Sequence, residues 1–454
     1  MKKLLLINPR AASSFAGFTF NEPLVLGVLA ALTPDTYEIE ILDENFERFH
    51  YIPCDIVAIT CSMTTAINRA YFISSEYQKQ GIPTIIGGLH ASYLPDEASQ
   101  YFTSVVIGDA ESVWEQVLMD FENNSLKKIY GDVENKNRYI ITPQRSIFNK
   151  YPYVSASVET SRGCNEVCEY CSVASLYKHK HFERPVEDII EDIKTVTDKV
   201  IFFTDDNFIG NFKNKQRTIT ILEQIIPLKI KWAGFCTLDI IDHPDLLELF
   251  RKSGCIILFI GLETDESSTL DTITKPINLN ILSQNRLKDC VKAIHRFHIP
   301  VMGFQIFGFD TDTSIKNMHL RLKRLNKSGL DWFVIFSLTP IPGSRIRKRF
   351  EKENRIIYNN YPEDWELYNF TNAVFRTKNF KPEELDEFFR QTNNYYYNRR
   401  NTLYRIIRTY FKTRNLQNTL LMFVWITHNW INIKHYWYSK YILSLAKLVL
   451  RNKK

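Results

Sequence analysis

The sequence predicts an α/β protein: an N-terminal doubly wound parallel sheet, then a partial (β/α)6 barrel, then an α-helical C-terminal region. Two observations predict the sheets, because short apolar strands alternate with helices over residues 1–125 and again over residues 151–345. A third predicts the last region, where basic and aromatic residues recur at helical spacing from residue 391 onward. A chain of 454 residues, 44% of them hydrophobic, is long enough for two or three domains with buried cores.

The N-terminal region, residues 1–125, reads as five strands and three helices. The expected strands are residues 3–8, 37–43, 55–60, 83–88 and 104–111, and the expected helices are residues 23–32, 66–79 and 112–121. Ligands of such sheets bind beyond the carboxyl ends of the strands. The candidate ligand loops are therefore residues 8–9, 61–65, 87–90 and 108–111.

A polar stretch without periodicity, residues 126–150, predicts a linker with one hairpin. Six strand-and-helix units follow, with strands expected at residues 153–159, 199–207, 231–239, 255–263, 300–310 and 332–343. Six such units form a partial barrel with one open side, and its site lies at the carboxyl ends of the strands. Polar residues cluster at these ends, among them the triplet Asp205-Asp206-Asn207.

Three cysteines, Cys164, Cys168 and Cys171, lie in C-x3-C-x2-C spacing on the loop that leaves the first barrel strand. Three thiolates on one short loop can converge on one metal centre, and the alternatives are zinc, an iron–sulfur cluster or no metal. Structural zinc needs four ligands, usually from two paired knuckles, and the other five cysteines are scattered singly. A 4Fe–4S cluster held by three cysteines leaves one iron open for a substrate or cofactor.

This loop resembles the cluster-binding loop of the radical S-adenosylmethionine (SAM) superfamily, which uses this spacing; an aromatic residue, Tyr170, precedes the last cysteine. The resemblance implies that the open iron binds the amino and carboxylate groups of SAM. It further implies that an electron from the reduced cluster cleaves SAM to methionine and a 5′-deoxyadenosyl radical, which abstracts hydrogen from the substrate. A reductase or flavodoxin-type electron donor is implied as a partner.

The family's SAM contacts carry over strand by strand. The positions that the resemblance implies are Asp205, Asp206 and Asn207 at the amino group, Thr237 and Asp239 near the ribose, and Glu263 at the next strand end. The segment 303–308 resembles the one beside the adenine, and the turn 339–344 resembles a Thr-Pro-x-Pro-Gly-Thr turn common in this class. For Asp239 and Asp310, a helix N-cap is an equal alternative.

Placed before such a barrel, the N-terminal sheet resembles the cobalamin-binding domain of the cobalamin-dependent radical SAM class. The segment 87–98 (Gly-Gly-Leu-His-Ala-Ser-Tyr-Leu-Pro-Asp-Glu-Ala) and the turn 108–111 (Gly-Asp-Ala-Glu) carry this resemblance, although the turn has Asp109 and Ala110 where Glu and Gly are usual. The implied cobalamin contacts are Met63, Thr64, Thr65, Gly87, Gly88, His90, Gly108 and Glu111. A D-x-H-x-x-G motif is absent, so His90 is the candidate cobalt ligand, and a histidine that merely bonds backbone is an equal alternative.

Residues 346–390 resemble the cap segment that follows the barrel in the subgroup containing hopanoid methylases, and a helix is expected to open at Lys381-Pro382. Residues 391–454 hold 12 of the 57 Lys and Arg residues and none of the 51 Asp and Glu residues. The formal charge of +6 therefore hides a mildly acidic body with a basic tail. Such a tail suits helices lying in a membrane interface, and the alternative is a packed helical cap with a solvated basic face.

The composition limits the classes of function and the cellular locations that are expected for this protein. A nucleic-acid binder is not expected from an acidic body, and eight cysteines without paired spacing favour the cytoplasm, with the tail allowing contact with the inner face of the membrane. No signal peptide is recognised, and no apolar run reaches the roughly 18–20 residues of a membrane span. The combined resemblance implies a cobalamin-dependent C-methyltransferase acting on an unactivated carbon of a small molecule or lipid. The alternatives are a cobalamin-linked cyclase or oxidase and a non-catalytic iron–sulfur or zinc protein.

Overall fold

The computed structural model describes residues 1–12, 21–132, 139–197, 200–210, 215–273 and 286–431, and from residue 424 onward it describes the backbone alone. The chain forms two compact units. The first comprises Met1–Ser157, Ile341–Gly343 and Asn359–Asn369. The second comprises Val158–Pro340, Ser344–Tyr358 and Phe370–Lys454.

The first unit is built on six parallel strands in the order β2-β1-β3-β4-β5-β6. The strands are β1 (Lys2–Asn8), β2 (Tyr37–Asp43), β3 (Ile56–Thr60), β4 (Thr84–Gly87), β5 (Ser104–Val106) and β6 (Ile129–Tyr130). The described helices are α1 (Leu24–Leu32), α2 (Ile67–Gln78), α3 (Leu89–Tyr93), α4 (Pro95–Ala98) and α5 (Trp114–Glu122). Strand residues such as Leu4, Ile56 and Ile85 are buried because parallel sheets are covered on both faces. The predicted doubly wound sheet is confirmed.

Strand β1 lies between β2 and β3, so the direction in which the chain adds strands reverses at β1. The register is continuous across it, with Leu4 beside Ile39 of β2 and Ile56 of β3. At such a reversal the loops leaving the two central strands diverge and leave a crevice for a ligand. Here the crevice lies between the loops that follow β1 and β3.

Two stretches of the first unit differ from the sequence-based expectation. The strand expected at residues 104–111 ends at Val106, and Gly108 follows with a φ of +76°. Residues 126–150, predicted as a linker with one hairpin, supply β6, which pairs in parallel with β5. Within this stretch the Gln144 N–H donates to the Gly27 carbonyl at 2.9 Å, and the buried Phe148 packs against Gly27. Residues 144–148 are therefore folded onto α1.

The second unit is built on six parallel strands in the order β7-β10-β11-β12-β13-β14, and β8 and β9 form a separate antiparallel pair. The strands are β7 (Ser155–Val158), β8 (Ser161–Arg162), β9 (Phe182–Glu183), β10 (Val200–Phe203), β11 (Trp232–Cys236), β12 (Cys255–Glu263), β13 (Val301–Phe307) and β14 (Trp332–Ser337). The described helices are α6 (Val173–Leu176), α7 (Val186–Thr195), α8 (Lys215–Ile225), α9 (Pro244–Ser253), α10 (Ser267–Thr272), α11 (Leu287–His295), α12 (Ile315–Lys327), α13 (Arg345–Lys352), α14 (Pro382–Tyr396), α15 (Arg399–Thr413) and α16 (Leu416–Ile431). Strands in chain order, separated by helices, confirm the predicted (β/α)6 arrangement.

One side of this second sheet faces the helices, and the other side carries one phenylalanine from each of the strands β10 to β14. Trp232 contacts Phe250 of α9, and Phe203 contacts Trp232, so these residues mark the helix-covered side. The opposite side carries Phe202, Phe235, Phe259, Phe304 and Phe336, whose neighbouring ring centroids are 5.3–6.0 Å apart. These rings fill the interior below the strand ends, as side-chain layers do in a barrel.

Helix ends in the second unit follow local sequence signals. Helix α9 begins at Pro244 and is followed by Gly254, whose φ of +97° and close approach to the Ile230 carbonyl, 2.1 Å from a would-be Cβ, admit only glycine. Helix α14 begins at Pro382 as predicted, and the Lys381 N–H donates to the Glu384 carboxylate at 2.7 Å.

The C-terminal region is helical where it is described, in α14, α15 and α16. Helix α15 packs on the barrel: the Thr409 hydroxyl donates to the Asp331 carboxylate at 2.7 Å, and the Arg405 guanidinium lies 4.5 Å from the Phe333 ring centroid. Helix α15 therefore packs on the barrel through its buried side, and contact of the tail with a membrane stays a prediction. Residues 432–454 of the expected helical tail lie outside the described residues. A search of the described helices finds none with the length and apolar character needed to cross a bilayer.

Candidate functional site

The cysteine loop leaves β7 and ends at the short helix α6. Cys168 is buried, whereas Cys164 and Cys171 are half-buried. Burial raises the pKa of the Cys164 thiol to about 11 and that of Cys171 to about 12, and the neighbouring Asp206 carboxylate acts in the same direction. These two thiols are thus neutral by themselves, and a bound metal centre would draw off their protons.

The donor set of this loop fits a cluster. In the described ranges, no three His, Cys, Asp or Glu side chains lie close enough together to hold one metal ion. A 4Fe–4S cluster has no such requirement, because each thiolate binds a different iron. Three thiolates on one loop can each bind one iron of such a cluster and leave the fourth iron open.

The carboxylate of Asp205, just after β10, is hydrogen-bonded to residues at the start of the cysteine loop. Its carboxylate accepts hydrogen bonds from the Thr160 N–H at 3.1 Å, from the Thr160 hydroxyl at 2.6 Å and from the Ser161 hydroxyl. Burial raises its pKa to about 6, and these hydrogen bonds oppose the rise. The contact of Asp205 with SAM stays a prediction, whereas its contacts in the structure are those of a residue that positions the loop.

Asp206 lies beside the thiols and is differently placed. Its side chain is exposed to solvent, yet protein atoms also surround much of it. That burial, with the nearby carboxylates of Asp205 and Glu159, raises its pKa to about 7. A carboxylate next to the thiols Cys164 and Cys171 is well placed for a cationic group bound at the open iron.

Asn207 offers an unused acceptor. Its Nδ2 donates to the Gly210 carbonyl at 3.1 Å, but its buried Oδ1 has no hydrogen-bond partner in the described structure. Leaving a buried acceptor unpaired costs about 1–3 kcal/mol, which a donor on a bound ligand would recover. This orphaned oxygen is the observation that best fits a ligand at the end of β10.

The ends of β11 and β12 place three more predicted residues. The N-cap of the 3-10 turn Leu238–Asp242 is Thr237, so the N-cap alternative for Asp239 is wrong. Burial raises the pKa of the Asp239 carboxyl, and the Thr237 hydroxyl opposes this. Glu263 is buried at the end of β12 with a φ of +62°, where β12 and β13 shift register. A positive φ is uncommon for a residue other than glycine and is typical of functional sites.

The candidate cobalamin loops of the first unit are bonded to one another. The Cys61 N–H donates to the Gly87 carbonyl at 2.8 Å, which joins the loops after β3 and β4. Gly88 has a φ of +109°, and a Cβ there would lie 2.5 Å from the Cys61 carbonyl oxygen. The Ser92 hydroxyl donates to the Gly88 carbonyl at 2.8 Å and accepts from the Gly108 N–H at 3.0 Å. The structure therefore brings Gly87, Gly88 and Gly108 together.

The remaining residues of this set surround the same loops. The Thr65 carbonyl accepts from the Ala12 N–H at 3.1 Å, which joins the loops after β1 and β3. The Thr65 hydroxyl is buried without a partner in the described structure. The Met63 carbonyl accepts from the Cys61 thiol at 3.3 Å, and the Glu111 carbonyl accepts from the Tyr139 hydroxyl at 2.9 Å. The unpaired Thr65 hydroxyl is a polar contact that a ligand could complete.

His90 is held by its neighbours at both ring nitrogens. Nδ1 lies 3.3 Å from the Thr64 hydroxyl, and Nε2 lies 3.3 Å from the Glu97 carboxylate. Burial works to raise the Glu97 pKa, but hydrogen bonds from His90, Trp365 and Tyr71 outweigh it and hold that pKa below its usual value. His90 has no nitrogen left for cobalt while these contacts stand, so its contacts are those of a positioning residue.

The barrel sequence matches a known family model over part of the chain. Residues 158–322 match the family model described as the radical SAM superfamily. The chain carries a radical SAM domain. Such a domain takes a 4Fe–4S cluster and SAM, and the match begins at the end of β7 and includes the cysteine loop, Asp205, Asp206, Asn207, Thr237, Asp239 and Glu263.

The similarity of this chain to known proteins extends beyond the radical SAM domain. Bacteriochlorophyllide d C-12(1)-methyltransferase of Chlorobaculum tepidum is 28% identical over 409 residues, which cover 86% of each chain. Hopanoid C-2 methylase of Rhodopseudomonas palustris is 24% identical over 400 residues, covering 80% of this chain and 72% of that enzyme. The fold resembles that of OxsB, solved as a cobalamin-dependent SAM radical enzyme with aqua-cobalamin and SAM bound, with a TM-score of 0.62, 14% identity and coverage of 99% of this chain and 79% of that chain.

Arg349 of α13 clamps the radical SAM cysteine loop from outside. Its guanidinium donates to both carboxylate oxygens of Glu169, at 2.7 and 3.2 Å, and to Asp310 at 2.8 Å. Glu169 stands between Cys168 and Tyr170, and its carbonyl also accepts from the Ile346 N–H at 3.0 Å. Asp310 is thus an ion-pair partner, and the N-cap alternative for it is wrong because Ser314 caps α12.

Removing this clamp should speed the loss of the cluster. We expect Arg349→Gln to release iron to a chelator several times faster than the wild type. The reason is that the loop loses the charged hydrogen bonds to both carboxylate oxygens of Glu169. The decay of the visible absorbance of the reconstituted protein measures this rate. The matched control is Arg390→Gln, which removes an exposed pair with Glu387 on α14 and should leave the rate unchanged. Equal rates in Arg349→Gln and the wild type would contradict the clamp.

Sequence reasoning missed Arg349 and also Ser337. Ser337 ends β14, is buried, and its hydroxyl oxygen has no partner in the described structure. Its N–H donates to the Phe370 carbonyl at 2.7 Å. The available signal is a single polar residue closing an apolar strand, WFVIFS. Arg349 gave no signal, because its partners Glu169 and Asp310 are distant in sequence.

Proposed function

We propose that the protein is a cobalamin-dependent radical SAM C-methyltransferase acting on an unactivated carbon of an apolar small molecule. The observation that carries the proposal is the pairing, on one chain, of a radical SAM domain with a doubly wound sheet whose loops after β4 and β5 carry glycines and are bonded to one another. The methyltransferase relatives span both regions, since the match with the Chlorobaculum tepidum enzyme covers 86% of this chain.

The cobalamin-binding part of the proposal concerns residues 1–125. Gly87 leaves room for a ligand to approach the backbone closely, and the buried Thr65 hydroxyl lacks a partner in the described structure. Met63, Thr64 and Glu111 belong to the same loops. We assign His90 to positioning these loops through Thr64 and Glu97, so cobalt takes no ligand from it.

The SAM-binding part concerns the strand ends of the barrel. Cluster-bound SAM supplies a 5′-deoxyadenosyl radical after one-electron reduction, and methylated cobalamin supplies the methyl group. In this assignment Cys164, Cys168 and Cys171 hold the cluster, and the Asp206 carboxylate receives the SAM ammonium. The phenylalanine layer that includes Phe235 and Phe336 keeps water from the radical and offers an apolar surface to the substrate. A reductase or flavodoxin-type donor supplies the electron.

The proposal is tested by reconstituting the protein anaerobically with iron, sulfide and hydroxocobalamin, desalting it and recording the absorption spectrum. Retained iron–sulfur and corrin bands are expected, followed by a product that is one carbon heavier than the substrate. A product with an unchanged carbon count would instead indicate the cyclase or oxidase alternative. A cluster without any retained corrin would contradict the methyltransferase assignment.

Gly87 gives a residue-level test of the corrin contact. A Cβ at this position would meet nothing closer than the Val106 Cβ at 3.7 Å, which is an ordinary contact. Gly87→Ala should therefore fold like the wild type, yet intrude on a ligand lying against the backbone. We expect corrin retention to weaken about tenfold, in line with the roughly 1–3 kcal/mol that overpacking costs.

The control for Gly87→Ala is the thermal unfolding of the cofactor-free protein, which should be unchanged. Gly88→Ala is unsuitable as a ligand test, because its positive φ and the Cys61 carbonyl would make the loop itself strained. Equilibrium dialysis with hydroxocobalamin measures retention. Unchanged affinity in Gly87→Ala would remove residue 87 from the binding surface.

A further inference from the structure

Helix α15 buries its polar side and exposes its apolar side. The side against the barrel carries the buried residues Arg405, Thr409 and Thr413. Thr409 donates to Asp331, and the Arg405 guanidinium lies over the Phe333 ring. A surface helix of a globular protein normally has the opposite arrangement, with its apolar stripe facing the core. The packing of α15 therefore leaves an apolar face turned outward.

This outward face is defined by Leu403, Tyr404, Ile407, Tyr410 and Phe411, and is called the α15 face. These side chains are 40–63% exposed. The spacing i, i+1, i+4, i+7 and i+8 places them on one side of the helix, over a length of about 12 Å. Arg400 and Arg414 are exposed, just before and just after the apolar stretch.

We propose that the α15 face docks on an anionic lipid surface, with the helix lying in the plane of the bilayer. Leucine, isoleucine and phenylalanine would enter the boundary between headgroups and acyl chains, and the tyrosine hydroxyls would stay at headgroup level. Arg400 and Arg414 would meet the lipid phosphates at either end of the face. This surface is distinct from the site proposed for the reaction and does not depend on its chemistry.

Charge distinguishes a lipid from the other occupants of such a face. Residues 391–454 contain no Asp or Glu, so nothing acidic within this region competes for a phosphate group. A second copy of the chain, meeting this one across a two-fold axis, would bring the Arg400 and Arg414 side chains of both copies to one interface. An anionic bilayer instead complements the basic residues and accepts the apolar ones.

The test is flotation of the full-length protein with lipid vesicles. Wild-type protein is expected to float with phosphatidylcholine vesicles that contain about 30% phosphatidylglycerol, and to bind pure phosphatidylcholine far more weakly. Phe411→Glu should lower binding to the anionic vesicles by about tenfold or more, because it places a charge within the apolar face. Arg400→Gln should weaken binding most at low salt.

The matched control is Leu320→Glu, which makes the same charge change at a 48% exposed apolar residue of α12 and should bind like the wild type. Equal binding by Phe411→Glu and wild type, or no binding of wild type to anionic vesicles, would overturn the proposal. If Phe411→Glu instead turned a dimer into a monomer without vesicle binding, the face would belong to a second copy. SAM cleavage in solution should be the same in Phe411→Glu and wild type, so this test stands apart from the proposed reaction.

Discussion

Replacing any one of Cys164, Cys168 or Cys171 with alanine is expected to abolish SAM cleavage. Two thiols cannot hold a 4Fe–4S cluster whose fourth iron must stay open for SAM. Bound iron should fall from about four atoms per chain to less than about one, and 5′-deoxyadenosine should fall below detection. Iron analysis, the electron paramagnetic resonance signal of the reduced protein and chromatography of the SAM products measure the three effects.

The matched control for these variants is Cys290→Ala. Cys290 is a buried cysteine of α11, and burial raises its pKa to about 11, as in the cysteine loop. The substitution Cys290→Ala creates a small cavity at most, so the free energy of unfolding should fall by about 1 kcal/mol. Iron content and SAM cleavage should be unchanged. A loop variant that kept its iron and its cleavage activity would remove that cysteine from the ligand set. One bound zinc without visible absorbance would favour the zinc alternative.

The sheets could be predicted from the sequence because their strands are continuous apolar runs. Residues 255–263 (Cys-Ile-Ile-Leu-Phe-Ile-Gly-Leu-Glu) were expected as one strand, and β12 has the same bounds. Strand β6 could not be predicted, because Ile129–Tyr130 is two residues long within a polar stretch. Its place at the edge of the sheet depends on pairing with β5, which is a tertiary interaction.

Site residues were harder to assign than strands, because residue type does not show which way a polar group turns. The Asp205-Asp206-Asn207 triplet reads as one acidic strand end, yet Asp205 is bonded to Thr160 and Ser161 and Asp206 faces the thiols. His90 reads as a metal ligand, yet Thr64 and Glu97 occupy both of its nitrogens. Contacts with residues distant in sequence decide these roles.

The basic tail shows the same limit. Composition suggests that all of its basic residues face one partner, whereas Arg405 is buried and lies over the Phe333 ring. The long apolar stem and planar guanidinium of arginine make this placement favourable when an aromatic face is available. The membrane prediction therefore depends on the outward residues of α15 and not on the total charge of the tail.

Replacing Arg321 with methionine is expected to destabilise the second unit by about 3–5 kcal/mol. Arg321 is fully buried on α12 and binds Asp312, Asp265 at 3.0 Å and the Thr264 hydroxyl at 2.8 Å. Asp312 in turn accepts from the Gly308 and Phe309 N–H groups, at 2.7 and 3.0 Å. The variant leaves a buried carboxylate without its counter-charge, which is the costly way to break a buried ion pair.

Arg324 provides the matched control for Arg321→Met, because it lies one turn further along α12 and also binds Asp265, at 2.6 Å, but its side chain is 45% exposed. Arg324→Met should therefore cost less than about 1 kcal/mol. Hydrogen exchange of the β12 and β13 amides measures the opening free energy in both variants.

Burial already raises the pKa of Asp312 in the wild type, and without Arg321 this pKa should rise further. Without Arg321, neutral Asp312 costs less to bury than the carboxylate does. The loss of stability of Arg321→Met relative to the wild type should therefore become smaller as the pH falls from about 8 to about 5. Equal losses in the two variants would mean that burial does not set the strength of these pairs.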